Sequence, residues 1–576
     1  MHCSSSAQPG PAWLGVFLAT ALPPLLAYNL TPSATLFNQL LAMAAWGTLL
    51  LFLARRVPLG VGRAMSIALL LLLLAVLASP SFNALPLPLA LQGMALLSAS
   101  WAMVRFGRGA GDGHSPLWTG FCFGLLLAGL AGLLIGCIQV FAPQFSDGTL
   151  IARSGIPGRA VGNLRQPNHL ASLLMWSCVA AVWLSAAGKL RRPWMLPALL
   201  FALVFGVVLS ASRTGMIGVL LLALWGLLDR KLARAQRFAL LATPLMLAAS
   251  WALLAGWAHL GEHTFGAESR LAEGAGSPSR LAILANAWTL LKMHPWTGVG
   301  WGEFNLAWTM TPFPDRPTAF FDHTHNIVMQ LLVELGWPLG LTVLGLLLWS
   351  VWSAFRASQR ASGETALMKR CAFMIVLMIG LHSLLEYPLW YAYFLLPTAF
   401  ALGICLGGDA SAAAAAPRRG FFTLPAWLLR GVGALLVAGS LFAVWDYLHV
   451  VDIYVPPADA GPLEQRIARG QRSVFFSTQA DYAAATSLPP GPAALAAAKR
   501  TAHNLIDVRL MMAWAKSLAA TGDVDRARYV VARLREFRSK QAEDWLAECE
   551  ETRAAGMAEP FQCQPPSRDY SYREMR

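Results

Sequence analysis

The sequence predicts an all-α polytopic membrane protein of about 12–13 transmembrane helices. It adds one large loop and a small helical C-terminal domain, both on the outer side. Three observations carry that prediction. Of 576 residues, 56% are hydrophobic and only 13% are charged, against roughly 25% charged in an ordinary soluble domain. With a mean hydropathy of +0.52, the chain has more apolar side chain than a soluble interior can hold, so part of its solvent is lipid. Apolar runs near span length recur along the chain, and the basic residues fall in short strips between them.

The runs lie near 12–30, 36–54, 64–80, 86–104, 117–141, 168–188, 193–209, 214–228, 238–257, 327–354, 371–385, 388–406 and 431–447. Some are short for a span of ~20 residues, so the count carries an error of one or two. The first run lacks a small-residue cleavage site and is expected to be retained as a span. With the N-terminus placed inside, Arg55, Arg56, Arg63, Arg105, Arg108, "KLRR" at 189–192, "DRKLARAQR" at 229–237, Arg356 to Arg370, and Arg418, Arg419 and Arg430 share one side. Positive residues mark cytoplasmic loops, so the net charge of +14 reads as topology and as a surface for anionic lipid or a lipid-linked anion, not as a nucleic-acid interface. The outer loops are then 142–167, 210–214, 258–326 and 385–388, with the segment "DASAAAAAP" an inside linker.

The transmembrane domain is expected over 1–447 and the tail domain over 448–576. The tail opens on "VDIYVPPADAGPLEQ" and continues "NLIDVRLMMAWAKSLAATGDVDRARYVVARLREF". Two amphipathic patterns flank "ATGD", a helix–turn–helix with Gly as breaker. The pair resembles one tetratricopeptide-type hairpin, with no clear second copy at a fixed period. The end, "FQCQPPSRDYSYREMR", is expected to be loose. Of eight cysteines, Cys3, Cys122, Cys137, Cys178, Cys371 and Cys405 are isolated, and most read as small hydrophobes in apolar runs. Cys549 and Cys563 are able to pair if the tail lies outside the cytoplasm.

Polar residues gather on the outer side. "GIPGRAVGNLRQPNHLAS" at 155–172 carries Asn163, Arg165, Gln166, Asn168 and His169 to the start of a span. "SASRTG" places Arg213 in a tight turn. "SRLAILANAWTLLKMHPWTGVGWGEF" begins at Ser279 and holds Arg280. "DHTHN" holds His323, His325 and Asn326, and "HSLLEYP" holds His382 and Glu386. Polar groups at the edge of hydrocarbon need partners or water, so several on one side imply a wet cavity. Arg159, Arg165, Arg213, Arg270, Arg280 and Arg316 share that side with few carboxylates: Glu303, Asp315, Asp322, Glu334 and Glu386. Guanidinium groups in excess suit a diphosphate. An imidazole titrates near neutrality and accepts a hydroxyl proton. His323 and His325 equally suit a loop pinned to a helix, Glu386 a helix-end carboxylate, and Asn326 the cap of a helix starting at Ile327. His-x-His lacks the further ligands of a metal site, and the glycines of "GVGWG" follow no strand, so they read as turn residues that let backbone approach another element.

Together, "GNLRQPNHLAS", "SASRTG", "GSPSRLAILANAWTLLKMHPWTGVGWGEF", "HTHNIVMQLLVELGWPLG" and "HSLLEYPLW" resemble the O-antigen ligase and polymerase superfamily, most closely its bacterial protein O-oligosaccharyltransferase branch. They cover most of 155–400. The resemblance implies a bacterial inner-membrane glycosyltransferase, free of nucleotide, metal and cofactor, that takes a glycan from undecaprenyl pyrophosphate at the periplasmic face. The acceptor it implies is Ser or Thr of a pilin or other periplasmic protein. Ligases of the lipid A core and O-antigen polymerases share the motifs and stay open as alternatives. A transporter is disfavoured, because the polar groups gather at one side and not in paired repeats at the midplane. The family's essential histidine maps to His325, with His323 as alternative, and its pyrophosphate-binding arginines to Arg213 and Arg280. Asn163, Arg165, Gln166, Asn168, His169, Asn326 and Glu386 are the expected lining.

Overall fold

A computed structural model describes residues 10–58, 62–110, 116–268, 278–314, 316–407 and 423–576. Arg270, Asp315, Arg418, Arg419, Cys3 and the "DASAAAAAP" linker lie outside them. In the first half, α1 spans Pro11–Leu25, α2 Leu36–Leu53, α3 Arg63–Asn83, α4 Leu87–Ala110 and α5 Pro116–Phe141. They are followed by α6 (Pro167–Ala186), α7 (Met195–Leu209), α8 (Arg213–Leu228), α9 (Arg234–Leu241) and α10 (Thr243–Gly261). Next come α11 (Pro278–Met293), α12 (Phe304–Met310), α13 (Ile327–Arg360), α14 (Gly363–Ser383), α15 (Ala392–Leu406) and α16 (Ala426–Tyr454). The tail holds α17 (Leu463–Gly470), α18 (Ser477–Ser487), α19 (Pro492–Thr501), α20 (Val508–Ala520), α21 (Val524–Glu536) and α22 (Lys540–Ala554). Residues 57–58 and 423–424 pair as a two-residue antiparallel ladder.

Among the described residues, nine helices are long and apolar enough to cross a membrane, and four shorter apolar helices accompany them. Each of the thirteen runs read from the sequence falls on one of these helices. The sequence divides them well because charged strips and prolines interrupt the apolar periodicity. Leu70, Leu74 and Leu77 stay exposed on one face of α3, as do Ile217, Leu220 and Leu224 on α8. Lipid is the solvent that suits such faces. The protein is therefore a multi-pass membrane protein.

Contacts divide the chain into two compact units. The first comprises Met1–Leu69, Leu96–Ala275 and Leu347–Phe442; the second comprises Leu70–Ala95, Gly276–Leu346 and Ala443–Arg576. The tail thus shares its unit with residues 276–346, which run from the long loop before α11 into the first part of α13.

In the first unit, α6 is the central helix, buried along most of its length. Glycines on α5 let its neighbours close in. A Cβ on Gly120 would stand 2.4 Å from the Trp13 carbonyl of α1, and one on Gly129 would stand 2.1 Å from Ser177 Oγ of α6. Small residues at helix contacts are the usual route to tight packing in lipid. The Ser177 hydroxyl donates to the Leu125 carbonyl at 2.7 Å, and Trp176 Nε1 of α6 donates to the Ile375 carbonyl of α14 at 3.0 Å.

In the second unit one core runs through α11, α12, the start of α13 and the tail helices. It includes Ile283, Leu290, Phe304, Trp308, Val333, Trp514, Tyr529 and Tyr572. The expected tail hairpin is α20–α21, with Asp507 and Asp523 as N-caps and Gly522 at φ +86° between them. The preceding pair α18–α19 adds a second helical hairpin. Its Ala-rich sequence hides the amphipathic period, which explains why only one copy was legible. Cys549 and Cys563 form a disulfide with Cα atoms 5.2 Å apart. The final stretch is a correction to the expectation of a loose end. Tyr572 and Met575 are buried, Ser571 caps the last turn in a capping box with Glu574, and Tyr572 donates its hydroxyl to the Val299 carbonyl at 3.1 Å.

Candidate functional site

The sequence-predicted residues divide between the units. In the first, Pro167 opens α6 after Gln166, whose side-chain oxygen accepts from the His169 N–H at 2.7 Å. That cap satisfies a helix-end donor that has no partner within the helix. One step inside, Asn168 joins three distant motifs. Its Nδ2 donates to Glu386 Oε1 at 3.1 Å, and its Oδ1 accepts from the Ser212 hydroxyl at 2.7 Å. Ser212 in turn caps α8, accepting from the Gly215 N–H at 3.1 Å. Arg213, half-buried, is the first residue of that helix. "QPNHLA", "SASRTG" and "HSLLEYP" thereby meet in one hydrogen-bonded cluster beside a guanidinium.

His169 is buried, with Nδ1 3.2 Å from the Tyr393 hydroxyl and its ring 4.6 Å from Tyr391 and 5.2 Å from Phe394. His382 is also buried, with Nδ1 2.7 Å from Ser172 Oγ; the two imidazole centroids are 5.9 Å apart. An aromatic cage therefore backs the polar cluster.

Two of the expected lining residues have other work. Asn163 is buried, donating to the carbonyls of Leu25 at 2.7 Å and Leu150 at 3.0 Å and accepting from the Ala152 N–H at 2.9 Å. Arg165, at φ +56°, donates to the carbonyls of Ala27 and Ala34 and to Asn29 Oδ1 at 2.8 Å. Burial lowers its pKa. Both side chains tie the 150–165 loop to the connection between α1 and α2. Arg159 ties the same loop to the connection between α7 and α8 through the Ser210 and Ala211 carbonyls.

In the second unit, Asn326 caps α13 as expected: its Oδ1 accepts from the Met329 N–H at 3.0 Å. Thr324 donates its N–H to Gln330 Oε1 at 2.8 Å, and Gln330 Nε2 donates to Glu334 Oε1 at 3.0 Å. His325 follows at φ +54°, half-buried, with its ring 5.3 Å from Phe321. His323 Nδ1 is 3.2 Å from Asp322 Oδ1. The Asp322 carboxylate interacts electrostatically with both imidazoles. Arg280 lies half-buried in the first turn of α11.

The glycine-rich loop explains how this segment is held. Pro338 has no N–H for the Glu334 carbonyl four residues back. Gly336, at φ +72° and ψ 177°, breaks the helical path and turns the Trp337 N–H to the Pro295 carbonyl at 2.8 Å. The Val333 and Glu334 carbonyls accept instead from the N–H groups of Val299 and Gly300, at 2.9 and 3.0 Å. A Cβ on Gly298 would lie 2.4 Å from the Glu334 backbone. The glycines are turn residues for close backbone approach, as read from the sequence.

One carboxylate and one arginine named from the sequence are buried in ion pairs within the second unit. Glu303 is fully buried, paired with His503 Nδ1 at 2.7 Å and Arg576 at 3.2 Å. Glu334 is buried on α13. Arg316 is a correction to the reading of an exposed anion ligand. It is 1% exposed, pairs with Glu536 at 2.8 Å, and stacks within 4.6 Å of Trp308 and 4.7 Å of Phe537. Burial lowers its pKa, with the Glu536 contact opposing.

Sequence reasoning missed Ser212, Tyr393, Gln330 and Gln139. Gln139 Nε2 donates to the Ala152 and Gly162 carbonyls, and its Oε1 accepts from the Val161 and Gly162 N–H groups. A lone glutamine in a 26-residue apolar helix was a usable signal. So was the i, i+4 ladder Asn326–Gln330–Glu334. Among the described residues, no three His, Cys, Asp or Glu groups are clustered as metal ligands would be.

Comparison with known proteins matches residues 160–184 to the protein glycosylation ligase family, 198–344 to the O-antigen ligase family, and 371–549 to the C-terminal part of a virulence factor membrane-bound polymerase. The matches point to the superfamily of O-antigen ligases and protein glycosylation ligases, membrane proteins that handle glycans. The chain is 28% identical over 393 residues to a general O-oligosaccharyltransferase of Acinetobacter baylyi, covering 65% of this chain and 66% of that protein. It is 27% identical over 255 residues to a ComP-specific O-oligosaccharyltransferase of the same organism, covering 43% and 44%. The chain thus spans just under two thirds of the first relative and less than half of the second. The protein-glycosylation segment contains the Gln166–Asn168–His169 cap, and the O-antigen-ligase segment contains Arg213, Arg280 and His325.

Proposed function

We propose that the protein is an O-linked oligosaccharyltransferase that moves a glycan from undecaprenyl pyrophosphate to Ser or Thr of a periplasmic protein such as a pilin. The observation that carries the reading is the Ser212–Asn168–Glu386 cluster beside Arg213, which joins motifs from three separate segments of the glycan-handling superfamily. Arg213 and Arg280 hold the pyrophosphate and stabilise the charge that develops as it leaves. His325 accepts the proton of the acceptor hydroxyl. That oxygen attacks the anomeric carbon, the bond from that carbon to the pyrophosphate breaks, and undecaprenyl pyrophosphate departs with the bonding electrons. A single displacement of this kind inverts the anomeric centre. Asn168, His169, Gln166, Glu386, His323 and Asn326 are assigned here to substrate binding. The site faces the periplasm of a bacterial inner membrane; the uniform side of the basic strips and the disulfide in the tail support that orientation.

The general and ComP-specific relatives favour a protein acceptor over lipid A core or a growing O-antigen. A transfer assay tests this. The purified full chain receives undecaprenyl-pyrophosphate-linked glycan with a pilin-like protein in one arm and lipid A core in the other, without nucleotide. Label on the protein is expected; label on lipid alone overturns the reading.

A further inference from the structure

The other end of α6 carries a second feature, unrelated to glycan transfer. The helix runs for 20 residues from Pro167 to Ala186, about 30 Å. There a cavity of about 590 Å³ opens where the α6–α7 connection meets α9 and the start of α10. Its mouth carries Arg191 and Arg192; its walls include Leu196, Phe238, Ala242 and Met246. Both arginines are exposed, and among the described residues neither guanidinium has a protein acceptor. From Ser185 to Met246, Asp229 is the sole carboxylate. It is already engaged, by Arg370 at 2.7 Å and Trp225 Nε1 at 3.1 Å. Arg237 is engaged as well, capping α8 through the Gly226 carbonyl at 3.1 Å. The local charge is therefore basic without internal compensation. Beside it, Trp194, Phe238 and Leu245 are exposed, and α9 is amphipathic, with Ala239 and Leu240 on its own buried face. Cations at the mouth, apolar walls beyond and an aromatic rim form the pattern of a bilayer interface.

We propose that this cavity is a binding site for one acidic glycerophospholipid. Its phosphate is paired by Arg191 and Arg192, and the first part of an acyl chain lies along Leu196, Phe238, Ala242 and Met246. A phosphate offers the several acceptor oxygens that two adjacent guanidinium groups satisfy, and the lipid supplies the apolar length that a free phosphate lacks.

Native mass spectrometry of the full chain in neutral detergent tests the site with phosphatidylglycerol, phosphatidylcholine and sn-glycerol 3-phosphate as separate probes. The protein is expected to retain one phosphatidylglycerol. The double substitution Arg191→Ala/Arg192→Ala is expected to weaken that retention by about 30-fold, the effect of two basic groups at an anionic surface. Arg191→Lys/Arg192→Lys retains most of the binding. Arg55→Ala/Arg56→Ala, which removes a different exposed basic pair, leaves it unchanged. Equal retention by the double-alanine variant, equal retention of phosphatidylcholine, or equal binding of glycerol phosphate alone overturns the proposal. Transfer activity has no part in the readout, so this result and that of the glycosylation assay are independent.

Discussion

Asn168 and Asn326 each stand at the start of a long apolar helix, yet their surroundings are built by different means. Around Asn168 the links run from side chain to side chain, through Ser212 and Glu386, with an aromatic cage behind. Around Asn326 the scaffolding is largely backbone. The glycine-rich loop docks on the kink of α13, and the tail holds that loop through Tyr572, His503 and Arg576. In the first region His169, His382 and Glu386 are buried among apolar helices, so each polar group there needs a built-in partner. The second presents the half-buried His325 imidazole from a loop, an arrangement that depends on support from behind.

The comparison breaks most visibly at His325. If it is the base, His325→Ala lowers transfer by about 10²–10⁴-fold while circular dichroism and thermal unfolding stay unchanged. Full activity would move the chemistry elsewhere, with His323 next to be tested. The largest stability effect belongs to the support. Glu303→Ala leaves His503 and Arg576 without their buried partner and is expected to destabilise the second unit by about 3–5 kcal/mol, seen as faster hydrogen exchange across 295–305 and 500–576. Gly298→Ala attacks the same support from the backbone. The left-handed φ and the clash with Glu334 together cost about 2–5 kcal/mol, so the 295–302 loop becomes susceptible to protease.

Smaller effects sharpen the contrast. Asn168→Ala removes one side-chain hub and leaves Ser212 and Glu386 short of a partner, a loss of about 1–3 kcal/mol. It is expected to lower both the midpoint of thermal unfolding and transfer, because Arg213 follows the Ser212 cap. The smallest effect is acid-dependent. Asp525 accepts from Ser567 and Tyr570, and the Ser567 hydroxyl, ahead of the other contacts, lowers its pKa from the usual 3.8. A lowered carboxylate pKa means the folded state binds the proton less readily than the unfolded chain. The contribution is therefore complete above about pH 4 and fades as pH falls through the lower folded value. Hydrogen exchange of 565–576, corrected for intrinsic rate, is expected to rise in that window, and less so in Ser567→Ala.

Much of the molecule was legible from the chain alone. Apolar run length and the breaks between runs locate the thirteen apolar helices, because hydrogen bonding inside lipid leaves a helix as the local solution. The Asn326 cap, the α20–α21 hairpin and the turn role of "GVGWG" followed from local rules of capping and glycine geometry. Three of the five motifs meet in the hydrogen-bonded cluster around Asn168. Local rules have no reach over side-chain partnership between distant segments. Arg213 and Arg316 look alike in sequence, yet one opens a helix half-buried and the other disappears against Glu536, Trp308 and Phe537. Asn163 and Arg165 read as lining, yet Asn163 bonds to the Leu25 and Leu150 carbonyls and the Ala152 N–H, and Arg165 to the Ala27 and Ala34 carbonyls and Asn29 Oδ1. The final residues read as loose because nothing nearby in sequence anchors them; Val299 and Glu303 do so from the far side of the chain. Secondary structure and membrane placement are decided within about twenty residues by burial and backbone hydrogen bonding. Which arginine is sealed in a core and which stays half-buried at a helix start is decided only when the tertiary fold chooses its neighbours.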